Sequence, residues 1–301
     1  MLVSGLVAVA VTGALCIAYG VFVERHWFRL VRYRLDILPV GGPEQLTLLH
    51  LSDLHFRRHD AKKAGFLASL PQADVTVVTG DFLAEPDAVE ATVAAMRPAR
   101  GRLASWFVLG SNDLYVARPV NPLRYFRRRR TRLRAQRGPW PELVAQLVDD
   151  GWEHLSNLQH GVELDGLPVE LVGLHDAHIF RADLRVLPRR TPERFGLALM
   201  HSPDTTPEAA ACGYRLTLAG HTHGGQVRMP FVGALVTNSH LPRRIVSGLV
   251  RMGDTVVHIS PGLGTSKYAP FRFMCRPEAT LLELHSTPQR DAARTSSNTR
   301  R

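Results

Sequence analysis

The sequence predicts an α/β domain behind one N-terminal apolar segment, and three observations predict it. Five short apolar runs, LTLLHL, VTVVT, SWFVL, GLALM and RLTLA, have the length and composition of buried strands. Stretches of helical character at 87–97, 141–149 and 207–212 alternate with them, in the order of βαβ units. Residues 2–23 carry no charge at all.

That uncharged segment is long enough to cross a bilayer, which takes about 20 apolar residues. Nothing basic precedes it, and no small-residue cleavage site is well placed, so a retained anchor is expected rather than a cleaved signal peptide. Cys16 follows Leu15, which argues against a lipoprotein signal. Arg25, Arg29, Arg32 and Arg34 lie just beyond the segment, and the positive-inside tendency places the rest of the chain in the cytoplasm. The expected organisation is an anchor at 1–24, a basic juxtamembrane linker at 25–45, one large domain at 46–285 and a disordered polar tail at 286–301. The three cysteines show no paired spacing, so neither a disulfide framework nor a zinc ribbon is expected.

The net charge of +10 is concentrated in an arginine-rich insertion at 118–138, where Arg127, Arg128, Arg129 and Arg130 follow Tyr125 and Phe126. A solvated basic surface is the plain reading. The sharper one is a lid that faces an anionic membrane, where each arginine is worth about 1 kcal/mol. A nucleic-acid partner ranks lower, because the anchor already sets the domain beside lipid.

Each strand run ends in residues that carry chemistry. In chain order these are Asp53-Leu54-His55, Gly80-Asp81, Gly110-Ser111-Asn112-Asp113, His201 and Gly220-His221-Thr222-His223-Gly224-Gly225. In α/β sheets ligands gather at the carboxyl ends of strands. Any one of these clusters is weak evidence, since a strand-end aspartate commonly caps a helix. Carboxylates and imidazoles from five strand ends together describe a metal site. Its mixed nitrogen and oxygen donors suit Mn, Fe, Zn or Co over Ca or Mg.

The ordered set resembles the calcineurin-like metallophosphoesterase superfamily, whose pattern is Asp-x-His, Gly-Asp, Gly-Asn-His-Asp/Glu, His, Gly-His-x-His. The resemblance spans residues 46–285. It is most similar to the membrane-anchored bacterial subgroup, with Leu51-Ser52-Asp53-Leu54-His55 soon after an apolar helix and a late Pro277-Glu278. The resemblance implies a four-layer α/β/β/α sandwich holding two divalent metals that hydrolyse phosphate esters through a shared hydroxide, at a spacing of about 3.5–4 Å. It implies that Asp81 bridges the ions, that Asp53, His55 and His223 complete one site, and that His201, His221 and a residue of the 110–113 loop complete the other.

That loop departs from the pattern. Aligned without a gap, Ser111 falls at the ligand asparagine and Asn112 at the histidine that assists the leaving group; shifted by one residue, Asn112 remains the ligand. The shift is favoured, because an amide oxygen binds a metal better than a neutral hydroxyl. Either way the loop has no histidine to act as acid, a role worth about 10²–10⁴-fold. Asn112 and Asp113 remain catalytic candidates, and His178 and Asp176 are candidates for a substitute acid. The plain reading of His178 and Asp176 is an exposed loop. Gly262 and Gly264 resemble the family's closing loop near the site, and His258 and His285 are expected to be structural or exposed. Phosphodiesters, lipid-like or nucleotide-linked, are the expected substrates. The rival expectation is a metal-containing binding protein that has lost turnover.

Overall fold

A computed structural model describes residues 2–117, 136–188, 191 and 193–286. The core of the arginine-rich insertion and nearly all of the expected tail therefore lie outside the described residues.

The chain begins with helix α1 (Leu2–Phe22), apolar all round and almost entirely exposed, with a mean hydropathy of 2.4 over its most apolar stretch. A helix of that composition without a covering core is suited to lipid. Strand β1 (Arg29–Leu38) follows after a single 3₁₀ turn at Glu24–His26. This corrects the expected 25–45 linker. From Tyr33 to Ile37 the residues alternate between outward and inward faces, a period-2 signal partly hidden by the arginines that suggested a membrane flank. Arg29 and Arg32 instead pair with Glu278 and Glu283 across the adjacent strand.

The remaining strands are β2 (Gln45–Leu51), β3 (Val75–Thr79), β4 (Ala104–Val108), β5 (Glu153–His154), β6 (Leu158–Leu164), β7 (Leu167–Leu174), β8 (Phe195–Met200), β9 (Leu216–Ala219), β10 (Arg228–Met229), β11 (Gly233–Ala234), β12 (Gly248–Met252), β13 (Thr255–Ile259) and β14 (Glu278–Ser286). One sheet runs β1-β14-β2-β3-β4-β5 and the other β12-β13-β9-β8-β7-β6, with β10 and β11 forming a separate small hairpin. The middle of each sheet is parallel, β2-β3-β4 in one and β13-β9-β8-β7 in the other. Those strands are covered on both faces, so they read as unbroken apolar runs.

The two sheets pack face to face through Leu48, Val77, Trp106, Leu171, Leu199 and Leu218. On the outer side of the first sheet lie α2 (Ala61–Ala68), α3 (Val89–Met96) and α5 (Trp140–Asp149), packed through Leu67, Met96 and Leu147. A one-turn helix, α4 (Ser111–Leu114), follows β4, and α6 (Thr206–Ala211) covers the second sheet through Ala209 and Met200. The layers are α/β/β/α. The expected helices at 87–97, 141–149 and 207–212 appear as α3, α5 and α6, each within a few residues.

Leu199 is fully buried between the sheets. Leu199→Ala is expected to cost about 2–5 kcal/mol, the range for emptying a leucine site in a packed core, read as a lowered urea midpoint with an unchanged m-value.

Candidate metal centre

The parallel strands β2, β3, β4, β7, β8 and β9 release their last residues at one end of the sandwich, and the chemistry-bearing side chains collect there. Five of them occupy the left-handed region: Asp53 (φ 48°), His55 (φ 43°), Asp81 (φ 56°), His221 (φ 69°) and His223 (φ 50°). Such a conformation costs a non-glycine residue about 1–3 kcal/mol and persists only where the surroundings impose it. Here neighbouring strand ends impose it by hydrogen bonds. Asp53 N donates to Gly80 O, His55 N to Asp81 O and Gly220 N to His201 O, at 2.9 to 3.0 Å. Gly220 lies against Ser52 and Asp53 and Gly110 against Asp81, so closely that a Cβ at either position would collide.

Asp81 is the hub. Its Oδ2 lies 3.5 Å from Nε2 of both His55 and His201, and Asn112 donates to Oδ1 through its backbone N–H (2.8 Å) and to Oδ2 through its side-chain amide (2.5 Å). Asn112 rather than Ser111 makes these contacts to Asp81. His223 Nε2 is 3.3 Å from His55 Nε2 and 3.6 Å from Asp53 Oδ1. His221 Nδ1 is 3.2 Å from His201 Nε2, while His221 Nε2 meets the Asn238 carbonyl at 3.2 Å. His201 Nδ1 donates to Thr79 O at 2.7 Å, which directs Nε2 to the centre.

Asp113 has a different task from the one expected. It is fully buried, and its carboxylate accepts from the backbone N–H groups of Asp81, Phe82, Leu83 and Gly110 at 2.7 to 3.2 Å. Those donors engage both oxygens, so Asp113 braces the backbone at 81–83 and 110. His178 sits at the site, its ring 4.3 Å from that of His221. Asp176 is fully buried, which overturns the exposed-loop reading, and it accepts from His178 N at 2.8 Å. His258 lies away from the centre, buried against His50 at 2.7 Å.

The electrostatics express crowding in a dry space. Burial opposes charge on His201, but the carboxylates of Asp81, Asp176 and Asp53 overcome it and raise its pKa to about 10. Burial pushes the Asp53 carboxyl up to about 6 and holds His55 and His221 near 4. Burial also opposes ionisation of Asp81, yet His201, His55 and Asn112 keep its carboxyl well below the usual range. A divalent ion would replace the proton on His201 as the balancing charge. Ser52 Oγ and His221 N both donate to Asp53 Oδ2, while Oδ1 is buried with no hydrogen-bond partner and faces His223. An orphaned buried carboxylate oxygen beside an imidazole fits a metal ligand. Among the described residues two groups could hold an ion, Asp53-His55-His223 and Asp53-Asp81-His201, with donor atoms within 4.8 Å of one another in each.

Arg272 escaped sequence reasoning. Fully buried, it donates to the carbonyls of Pro261, Gly262, Gly264 and Cys275 and reaches that of His223. It thereby clamps the 261–264 loop, whose Leu263 and Gly264 N–H groups bond to Ser52 and Asp53. An arginine between two phenylalanines gives no sign of this in the sequence.

A sandwich of this layering with such a centre defines a metallophosphoesterase. The calcineurin-like phosphoesterase family model matches residues 46–225, and the chain belongs to that family. It is 25% identical over 295 residues to the uncharacterized metallophosphoesterase YkuE of Bacillus subtilis, covering 94% of each chain. It is 26% identical to phosphodiesterase YaeI of Escherichia coli, over 88% of this chain and 92% of that one. A bovine transmembrane protein with a metallophosphoesterase domain is 27% identical over 81% of this chain and 54% of its own length.

Asp113→Ala leaves four buried donors without their acceptor, at about 1–3 kcal/mol for each that water cannot reach. The expected result is a lower urea midpoint together with reduced bound metal by elemental analysis; an unaltered metal content would contradict the positioning role.

Proposed function

We propose that this protein hydrolyses phosphodiesters of a lipid-like or nucleotide-linked substrate, at a two-metal centre held against the cytoplasmic face of a membrane by α1. The observation that carries the proposal is the convergence of Asp53, His55, Asp81, Asn112, His201, His221 and His223 at one end of the sandwich. Asp81 would serve both ions, Asp53, His55 and His223 would hold one, and His201, His221 and Asn112 would hold the other. Asn112 would take part with its amide rotated so that the oxygen faces inward. When bound there, two divalent ions (Mn, Fe, Zn or Co) would supply charge neutralisation for the phosphoryl oxygens and a more acidic water.

The chain's own residues do the rest. Thr79 O fixes the His201 ring, Ser52 and His221 N fix the Asp53 carboxylate, and Arg272 holds the loop beneath. His178, packed against His221, stands in for the histidine missing from the 110–113 loop and protonates the leaving oxygen. The name of YaeI, a phosphodiesterase, supports a diester over a monoester, and that of the bovine relative supports an anchored domain.

Asp81→Asn is expected to lose metal and all turnover of bis-p-nitrophenyl phosphate while keeping its fold. Asn112→Ala is expected to lower occupancy at one ion and Ser111→Ala to be mild. Indifference at both positions would remove the 110–113 loop from the site. Because p-nitrophenolate leaves without help, His178→Ala should spare that diester and slow an alkyl diester by about 10²–10⁴-fold. Stoichiometric metal with no turnover on any phosphate ester would favour the rival binding-protein reading, which the altered loop motivates.

The anchor makes a separate prediction: the protein resists extraction by alkaline carbonate, and protease added to intact cells leaves the domain uncut. Digestion by external protease would reverse the orientation.

A further inference from the structure

The end of α1 does not simply hand the chain on to the domain. Glu24, almost fully buried, accepts the backbone N–H groups of Met274 (2.9 Å) and Cys275 (2.5 Å), and Arg272 N donates to Gly20 O at 3.2 Å. Tyr19 meets Phe273 edge to face, and Arg276 stacks on Trp27 at 4.0 Å. Beside this junction lies a cavity of about 450 Å³, lined among others by Tyr19, Glu24, Arg29, Arg228, Arg276 and Glu278. It stands apart from the metal ligands, none of which lines it.

The charges in this cavity do not cancel. Glu24 is occupied by two backbone donors, and Glu278 by Arg29 at 2.7 Å and Thr280 at 3.1 Å. Arg276 donates to the carbonyls of Trp27 and Phe28, which leaves its charge without a counter-ion there. Arg228 reaches a single hydroxyl, Ser247 Oγ at 3.4 Å, and joins no salt bridge among the described residues. Three guanidinium groups and two carboxylates line the cavity, so one positive charge is left over, and guanidinium groups match phosphate oxygens in geometry.

The rim says which kind of phosphate. Arg228 opens the β10–β11 hairpin, whose backbone is tied to Phe273 through Arg228 N and Phe273 O at 2.9 Å. At the hairpin turn Met229, Phe231 and Val232 are exposed, as is Met274 on the cavity wall. Water-facing apolar side chains around a cationic cavity, next to a helix with the composition of a membrane span, match a ligand with an anionic head and an apolar body.

We propose that this cavity is a docking site for the phosphate headgroup of an anionic membrane phospholipid, separate from the metal centre, with the turn at Phe231 and Val232 dipping into the interface. The inference rests on the membrane reading of α1, which carbonate extraction tests on its own. Cys275, on the cavity wall, directs Sγ to His223 O at 3.3 Å, so an occupied cavity would also brace a metal-ligand loop.

The test uses the full chain in a neutral detergent, with phosphatidylglycerol, phosphatidylcholine or glycerol 3-phosphate added at equal concentration, and counts bound molecules by native mass spectrometry. Wild type is expected to retain one phosphatidylglycerol under conditions where phosphatidylcholine is lost, and glycerol 3-phosphate should not displace it. Arg228→Gln should weaken retention roughly tenfold, the effect of removing a charge-assisted phosphate contact. Arg228→Lys should restore most of it, and Arg185→Gln, a charge loss elsewhere, should change nothing. Unchanged retention in Arg228→Gln, or equal weakening by Arg185→Gln, would overturn the site. Displacement by glycerol 3-phosphate would overturn the lipid as ligand. Arg228→Gln should still hydrolyse bis-p-nitrophenyl phosphate. A wild type that fails to do so would sink the phosphodiesterase reading and leave the lipid count to decide the cavity alone.

Discussion

The molecule depends on one constraint: carboxylates and imidazoles must be kept within about 4 Å of each other where little water can separate them. Charges that close in a low-dielectric interior repel or attract by many times their value in water. Asp81 and His201 relieve each other, Asp113 is quenched by four backbone donors, and Asp53 keeps an oxygen without a partner. The rest of the architecture supplies rigidity against that pressure. Two sheets end at the same level, left-handed residues turn the side chains inward, and glycines let the strand ends touch.

Much of this was legible in the sequence because the ligands sit at strand ends and strands covered on both faces appear as apolar runs. Asp53, His55, Asp81, His201, His221 and His223 could be picked out together for that reason. What could not be read was anything decided by the partner of a side chain rather than its type. Asp113 resembled an acid or ligand, and only its four N–H donors reveal a brace. Arg272 is a lone cation in sequence and a clamp on several carbonyls in space. Asp176 looked like a loop residue because burial of a single polar side chain leaves no periodic trace.

The strand at 29–38 shows the same limit from the other direction. Its arginines carry two meanings, a charged flank beside an apolar helix and the outer face of an edge strand. The structure uses Arg29 and Arg32 as partners for Glu278 and Glu283 of β14. Charge counting near a membrane segment and strand alternation draw on the same residues, and only pairing distinguishes them.

Between the last residue of α1 and the first of β1 there are only residues 23–28, half of them in a tight turn and Glu24 locked to the 274–275 backbone. On the membrane reading, so short and so fastened a connection removes the slack that a flexible tether would give. The domain then patrols an area instead of a volume, at a fixed height and with one side always down. Encounter rates would follow the number of target molecules per unit of bilayer and the lateral mobility of both partners. A rise in bulk concentration would matter only for substrates that first partition to that surface.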